Sequence, residues 1–574
     1  MPATAAPPPP ARKFVPAQID LSDFNQIEPL YRTLLERPLN SALEIEQWLL
    51  DFSELSAAID EFGSRRYIDK SCHTDDAQIE KRFMYFVENI EPKIKPLYFQ
   101  LQKKFLDSPH VSLLDHRRYF VLLRKWRADV EIFRDENVPL ETQVTRLVTD
   151  YDKISGAMTV QFDGKERTLQ QMARYQEQND RQQRQSAWEA STARRLVDRE
   201  AMEVIFEQLL DLRQQIAVNA NLSIYRDFAW KANKRFDYTP QQCLEFAEAI
   251  AATCVPLVKK LDDQRRLDLG VAALRPWDSS VDPKNRPPLE PFKEDQIPAF
   301  IDKTRTIFDR LAPELGAEFE SLRTNNNLDL ESRKGKQPGG YQCSLEESLQ
   351  PFIFMNAAGL QRDVETLLHE GGHAFHHLAA IGEPLVFLRS APMEFCEVAS
   401  MAMELLGSEH FDVFYDPADT ARARRTMIEG IIRFFPWMAT IDVFQHWLYT
   451  HPGHSRSERT AKWLSILDQF SGNVDWTGLH PIRESLWQRQ LHLFHYPFYY
   501  IEYGIAQIGA LQLWLKAKDD PRRALANYRA ALKLGGTRTL PELFSAAGIR
   551  FDFSQQTLRP LMDALEEELA SLPG

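Results

Sequence analysis

The sequence predicts a mainly α-helical protein: a helical N-terminal part joined to a second helical part that carries a small β-sheet. Three observations point there. Apolar residues recur at three-and-four spacing through most of the 574 residues. That period gives way to strand-like runs only in short stretches near 158–169 and from 326 onward. The chain is also too long for a single core, since cores stop growing near ~250–300 residues, and it shows no repeat of fixed period.

The elements follow in order. "MPATAAPPPPARKF" lacks the apolar run of a secretory signal and reads as a disordered, proline-rich tail over 1–15. Residues 16–195 are expected to form a helical N-terminal domain. In it, "NSALEIEQWLLDFSELSAAIDEF" (40–62) is an amphipathic helix capped by Asn40 or Ser41. Polar-rich helices are expected at about 76–105 and 115–135. "MTVQFDGKERTL" (158–169) reads as a β-hairpin, because β-type residues flank Asp163-Gly164, the strongest short turn signal. Long helices follow at about 169–198 and 200–220.

Residues 196–574 are expected to form the second domain. "VDPKNRPPLEP" (281–291) is a loop, after which "NLDLESR", "GGYQCSL" and "PFIFMN" read as three short strands. Gly339 and Gly340 mark a turn or a close backbone approach. From 361 the chain is helical again.

Composition narrows the function. Hydrophobic content of 44% and charged content of 26% are those of a soluble globular protein. A formal net charge of −13 with no basic tract argues against a nucleic-acid partner. Five scattered cysteines (Cys72, Cys243, Cys254, Cys343, Cys396) suit a reducing compartment. No stretch approaches ~18 uninterrupted apolar residues, so no membrane partner is expected and the expected location is cytoplasmic.

One segment stands out. "LLHEGGHAFHH" (367–377) gathers four of the chain's 14 histidines. His369 and His373 are one helical turn apart, so both imidazoles reach one ion, with Glu370 beside them as a carboxylate that need not bind it. Zinc suits such a site and keeps a position for water, whose pKa it lowers towards ~7 so that a nearby carboxylate removes the proton. Gly371-Gly372 would cost about 1 kcal/mol each in mid-helix relative to alanine, so something must approach that backbone closely. A third ligand is needed. The extended motif H-E-x-x-H-x-x-G-x-x-H fails, since His376 and Ala379 occupy its last two positions. "SAPMEFCEVASMAMELLG" (390–407) instead offers Glu394, Glu397 and Glu404 on roughly one helix face, with Gly407 as a C-terminal stop. Spacing does not choose among them; Glu394 suits the helix N-terminus and Glu404 suits a partner for an imidazole N–H. His376 either lines the site or packs, and His377 is read as structural.

Together with "FCEVASMAMELL" and "HYPFYYIEYGIAQ" (495–507), this motif resembles the zinc oligopeptidases of the oligoendopeptidase F and thimet oligopeptidase type. The resemblance covers roughly 150–560. It implies a zincin-like catalytic domain enclosing a deep channel, and one Zn²⁺ per chain held by His369, His373 and Glu397. Glu370 is then the catalytic base, and the implied activity is hydrolysis of internal bonds in short unfolded peptides. It further implies oxyanion donors from His495, Tyr500 and Tyr503, whereas Tyr496 and Tyr499 read as core. The "PFIFMN" strand is expected to pair with an extended substrate. Gly371, where relatives carry a bulkier residue, is expected to widen the site wall. The rival readings are a zinc aminopeptidase, carboxypeptidase or other amide hydrolase, and a non-catalytic peptide binder with a vestigial metal site. Oligomeric state is left open.

Overall fold

A computed structural model describes residues 11–293 and 295–573; the first ten residues of the expected tail lie outside them. Residues 11–15 are tied down rather than loose. The Glu54 carboxylate accepts from the backbone N–H groups of Lys13, Phe14 and Val15, and Val15 is buried.

Helices dominate, as the periodicity predicts. The helix Ala42–Cys72 starts at Ser41, whose hydroxyl accepts from the Glu44 N–H, and it runs ten residues past its predicted end. It buries Trp48, Leu49, Phe52 and Leu55 in an N-terminal core shared with Phe105 and Trp126. Tyr151 and Met158 already belong to the larger core that fills the rest of the molecule. Core membership thus changes between Trp126 and Tyr151, earlier than the boundary near 195 expected above. Leu385 and Leu388 also join the N-terminal core. They belong to the connection between the two helices that build the site, so that connection is anchored across both cores.

The hairpin forms where predicted. Strands β1 (Thr159–Phe162) and β2 (Lys165–Thr168) pair antiparallel, and Asp163 and Gly164 both take positive φ, as a two-residue type I′ turn demands. The second sheet contains β3 (Leu328–Glu331), β4 (Tyr341–Leu345) and β5 (Gln350–Ala357) in the order β3-β5-β4. β3 runs parallel to β5 and β4 antiparallel to it. The near-continuous apolar run of β5 places it at the centre, buried on both faces. This corrects one expectation: the "PFIFMN" strand has both edges paired, and β3 and β4 are the edge strands.

Candidate active site

The helix Gln361–Ala380 leaves β5 through a tight cap, in which the Asp363 carboxylate accepts from the N–H groups of Ala358 and Leu360, both at 2.8 Å. It packs along the helix Met393–Ser408, and the two glycines explain how closely. A Cβ on Gly372 would stand 2.6 Å from the Ala399 carbonyl oxygen and 2.6 Å from the Ser400 Cα. The close backbone approach expected from the glycine pair is therefore the second helix itself. Gly371 faces the Phe308 ring instead, with a would-be Cβ 2.6 Å from its tip. Phe308 fills the space a larger residue would take, so Gly371 does not widen the site wall. Gly407, expected as a stop signal, lies within the helix, where Leu368 leaves no room for a side chain.

This contact brings three donors together. Glu397 Oε2 lies 3.3 Å from His369 Nε2 and 3.5 Å from His373 Nε2, and the three groups form a cluster able to hold a metal ion. An ion bonded to tetrahedral N and O donors at ~2.1 Å separates them by about 3.4 Å along each edge, so the donor set fits zinc. Behind the cluster, His369 Nδ1 bonds Glu404 Oε1 at 2.6 Å, which fixes the ring and turns Nε2 towards Glu397. The Ser400 hydroxyl donates to Glu397 Oε2 at 3.1 Å and the Tyr499 hydroxyl to Glu397 Oε1 at 2.5 Å. Glu394 takes no part; it accepts from the Tyr238 hydroxyl at 2.6 Å near its helix N-terminus.

Glu370 does not join the donors. Its Oε2 is buried without a hydrogen-bond partner, and burial raises its carboxyl above the usual range. Gly340 lies against Oε1, with a would-be Cβ at 3.3 Å, so the glycine turn before β4 is also a close approach. Glu370 and His369 open onto two adjoining cavities of about 330 and 730 Å³, and His373 onto the smaller one. β4 residues Tyr341 and Gln342 line both, as do Tyr499 and Tyr503. His376 and His377 line the smaller one, where burial drives His376 down to about 3 and keeps it neutral.

The C-terminal segment is arranged differently from expectation. Tyr503 stands beside the cluster, its ring centroid 6.4 Å from that of His369. Tyr500 lines neither of the two cavities but a neighbouring one, with Gly340, Glu365 and Glu404, and its ring packs against Phe434 with centroids 6.0 Å apart. His495 lines the larger cavity but is tied to Asp152 Oδ1 at 2.7 Å, and Asp152 is held in turn by Lys70. Tyr499, read from sequence as core, is at the site, and Tyr496, read the same way, is 52% exposed on the wall of the larger cavity. The residue that sequence reasoning missed is His492. Its Nε2 lies 3.3 Å from the Tyr503 hydroxyl, and its Nδ1 bonds Gln490 at 2.8 Å. His492 and His495 sit three apart in the helix Leu491–His495, a spacing that gives no way to choose between them.

Residues 174–563 match peptidase family M3, and residues 14–133 match the N-terminal domain of M3 peptidases. The chain belongs to peptidase family M3. It is 25% identical over 252 residues to an oligoendopeptidase F homolog of Borreliella burgdorferi, and 23% identical over 266 residues to the oligopeptidase PepF of Bacillus subtilis. These stretches span 41% of this chain and 41% of the first relative's own length, and 45% and 39% for the second. Among solved structures, Pz peptidase A with an inhibitor superimposes with a TM-score of 0.92 at 25% identity, covering 97% of this chain and 99% of that one. A putative oligoendopeptidase F gives 0.92 at 26% identity, with 98% and 99% covered. The family resemblance and the mainly helical fold read from the sequence are both borne out.

Proposed function

We propose that this M3 chain is a zinc-dependent oligoendopeptidase that cleaves internal bonds of short, unfolded peptides. The observation that carries the reading is the pairing of a donor set spaced for one cation with a neighbouring carboxylate, Glu370, that is left bare and faces the same cleft. His369, His373 and Glu397 hold the ion; when bound, zinc supplies Lewis acidity towards water and the scissile carbonyl. Glu370 takes a proton from the attacking water and returns it to the leaving amine, and its raised affinity for a proton suits both halves of that transfer. Tyr503 donates its phenol hydrogen to the oxyanion that develops on the substrate, with His492 orienting the hydroxyl. Tyr499 orients Glu397. Tyr500 and His495, expected among the oxyanion donors, serve the cleft wall instead, Tyr500 packing on Phe434 and His495 held by Asp152.

The substrate class follows from the cleft. β4 is an edge strand and lines both cavities, so an extended peptide adds to it as a strand, backbone to backbone. Cavities of about 330 and 730 Å³ admit a few residues of extended chain and exclude a folded domain. A short internally quenched peptide tests the whole reading, assayed with the metal-loaded enzyme, after chelation, and with Glu370→Gln. Internal cleavage abolished by both treatments is the expected result. Release of only the first residue would replace this reading with an aminopeptidase, and tight retention without turnover would replace it with a peptide binder.

A further inference from the structure

A second group of metal-type side chains lies outside the cleft. The helix Pro240–Asp268 presents Cys243 from its first turn to the long helix Pro417–Thr450, which carries Asp442 and His446 one turn apart. Each residue offers a ligand atom within 4.8 Å of the others. All are buried, at 0%, 1% and 3% exposure. His446 Nε2 lies 3.3 Å from Asp442 Oδ2, yet both carboxylate oxygens and both ring nitrogens lack a hydrogen-bond partner. Buried polar atoms are almost always paired, so four bare ones meeting in one place call for an occupant.

No side chain around them pairs with these atoms. The rings of Trp230 and Phe498 pack on His446, with centroids at 5.7 and 5.3 Å. The nearby Arg235 bonds Glu502 through Nη2 at 2.7 Å and lies over the Trp230 and Tyr238 rings, and its Nε and Nη1 are hydrogen-bonded neither to Asp442 nor to another partner. The adjacent Gln445 uses its carbonyl oxygen to accept from the Phe498 N–H and leaves its own amide nitrogen unpaired.

We propose that Cys243, Asp442 and His446 form a second metal site, which binds a divalent cation of the zinc type and clamps the two helices together. Thiolate, imidazole and carboxylate are the three donor types zinc takes, and the 3.3 Å separation of Asp442 and His446 matches the edge of about 3.4 Å expected around one tetrahedral ion. Charge favours the same occupant. A dication with one thiolate, one carboxylate and one neutral imidazole is electroneutral, which removes the penalty of an unpaired buried carboxylate. Binding exchanges the Cys243 thiol proton, now directed at the Thr239 carbonyl oxygen 3.5 Å away, for the cation and releases that proton to solvent. Burial and the Asp442 charge push the free thiol well above its ordinary value, so the thiolate forms only with the metal. Cys243 and the Asp442–His446 pair lie about 200 residues apart in the chain, a separation over which motif spacing carries no signal.

Cobalt distinguishes this site from the cluster in the cleft, because only this one has a sulfur ligand. Full-length protein stripped with chelator and reloaded with Co²⁺ should bind two equivalents and show thiolate-to-cobalt charge-transfer absorption in the near ultraviolet. Cys243→Ser should lose that absorption and one equivalent, whereas His369→Ala/His373→Ala should keep the absorption and lose the other equivalent. Zinc reloading followed by elemental analysis should give the same two, one and one. Absent absorption in the wild-type protein, or absorption and metal content unchanged in Cys243→Ser, overturns the proposal and leaves a buried His–Asp pair bridged by water. The wild-type cobalt spectrum needs no variant to fold.

Discussion

Replacing Gly372 by alanine tests how the site is built. Helix propensity alone predicts that Gly372→Ala stabilises the protein by about 1 kcal/mol. Packing predicts the opposite sign. The new methyl carbon would sit 2.6 Å from both the Ala399 oxygen and the Ser400 Cα, and both are backbone atoms of a buried helix that cannot rotate away. Restoring an ordinary contact of 3.4 Å requires the two helices to separate by about 0.8 Å. Overpacking of this kind costs about 1–3 kcal/mol, and backbone against backbone belongs at the upper end. The separation also carries Glu397 away from His369 and His373, stretching edges of 3.3 and 3.5 Å towards about 4 Å, beyond the ~0.2 Å tolerance of a metal site. Gly372→Ala should therefore lower the urea midpoint and weaken zinc binding by at least ~10–100-fold in a chelator competition. Gly371→Ala is the control. Its methyl would meet only the tip of the Phe308 ring, so it should cost some stability and leave zinc affinity unchanged. Wild-type stability and zinc affinity in Gly372→Ala, or equal loss of affinity in both variants, would refute the account of the helix contact.

Four further outcomes follow. Glu370→Gln should reduce kcat by about 10²–10⁴-fold while metal content measured by elemental analysis stays at the wild-type level. Glu404→Ala removes the partner of His369 Nδ1 and should weaken zinc binding by about 10–100-fold in chelator competition. Tyr503→Phe should lower kcat by about 10²–10³-fold with KM nearly constant, whereas Tyr500→Phe, whose ring packs on Phe434 outside the two cavities, should leave kcat near the wild-type value. Acid stability carries a sign. Burial lowers His492 from its ordinary 6.5 to about 4, so between those values the unfolded chain binds the extra proton. The contribution of His492 is then full above pH 6.5 and is lost as the pH falls towards 4, so urea unfolding at pH 7 and pH 4.5 should differ less in His492→Gln than in the wild type.

What could be read from the sequence divides along a physical line. Features set by neighbours in the chain were legible: the Asp163-Gly164 hairpin, the three short strands, and the one-turn spacing of His369 and His373 all follow from local period and turn chemistry. The glycine pair was legible as a demand for close approach, though not as a demand made by Ala399 and Ser400. Features set by packing across the chain were not. Whether β5 is central or an edge strand depends on the parallel return of β3, which no property of "PFIFMN" alone records. The aromatic segment shows the limit most clearly. Phe498 takes a positive φ immediately before the helix Tyr500–Asp519. A helical projection counted back from Tyr503 reaches Tyr499, the αR residue one turn earlier, but fails at Phe498, so periodicity cannot follow the chain through the kink to His492 and His495. Two phenols adjacent in sequence end up in different surroundings, Tyr499 bonded to Glu397 and Tyr500 packed on Phe434. The same reasoning applies to the Cys243 cluster. Its two helices meet through an extensive buried face, and only that contact turns an unremarked cysteine and a helical Asp–His pair into three converging donors.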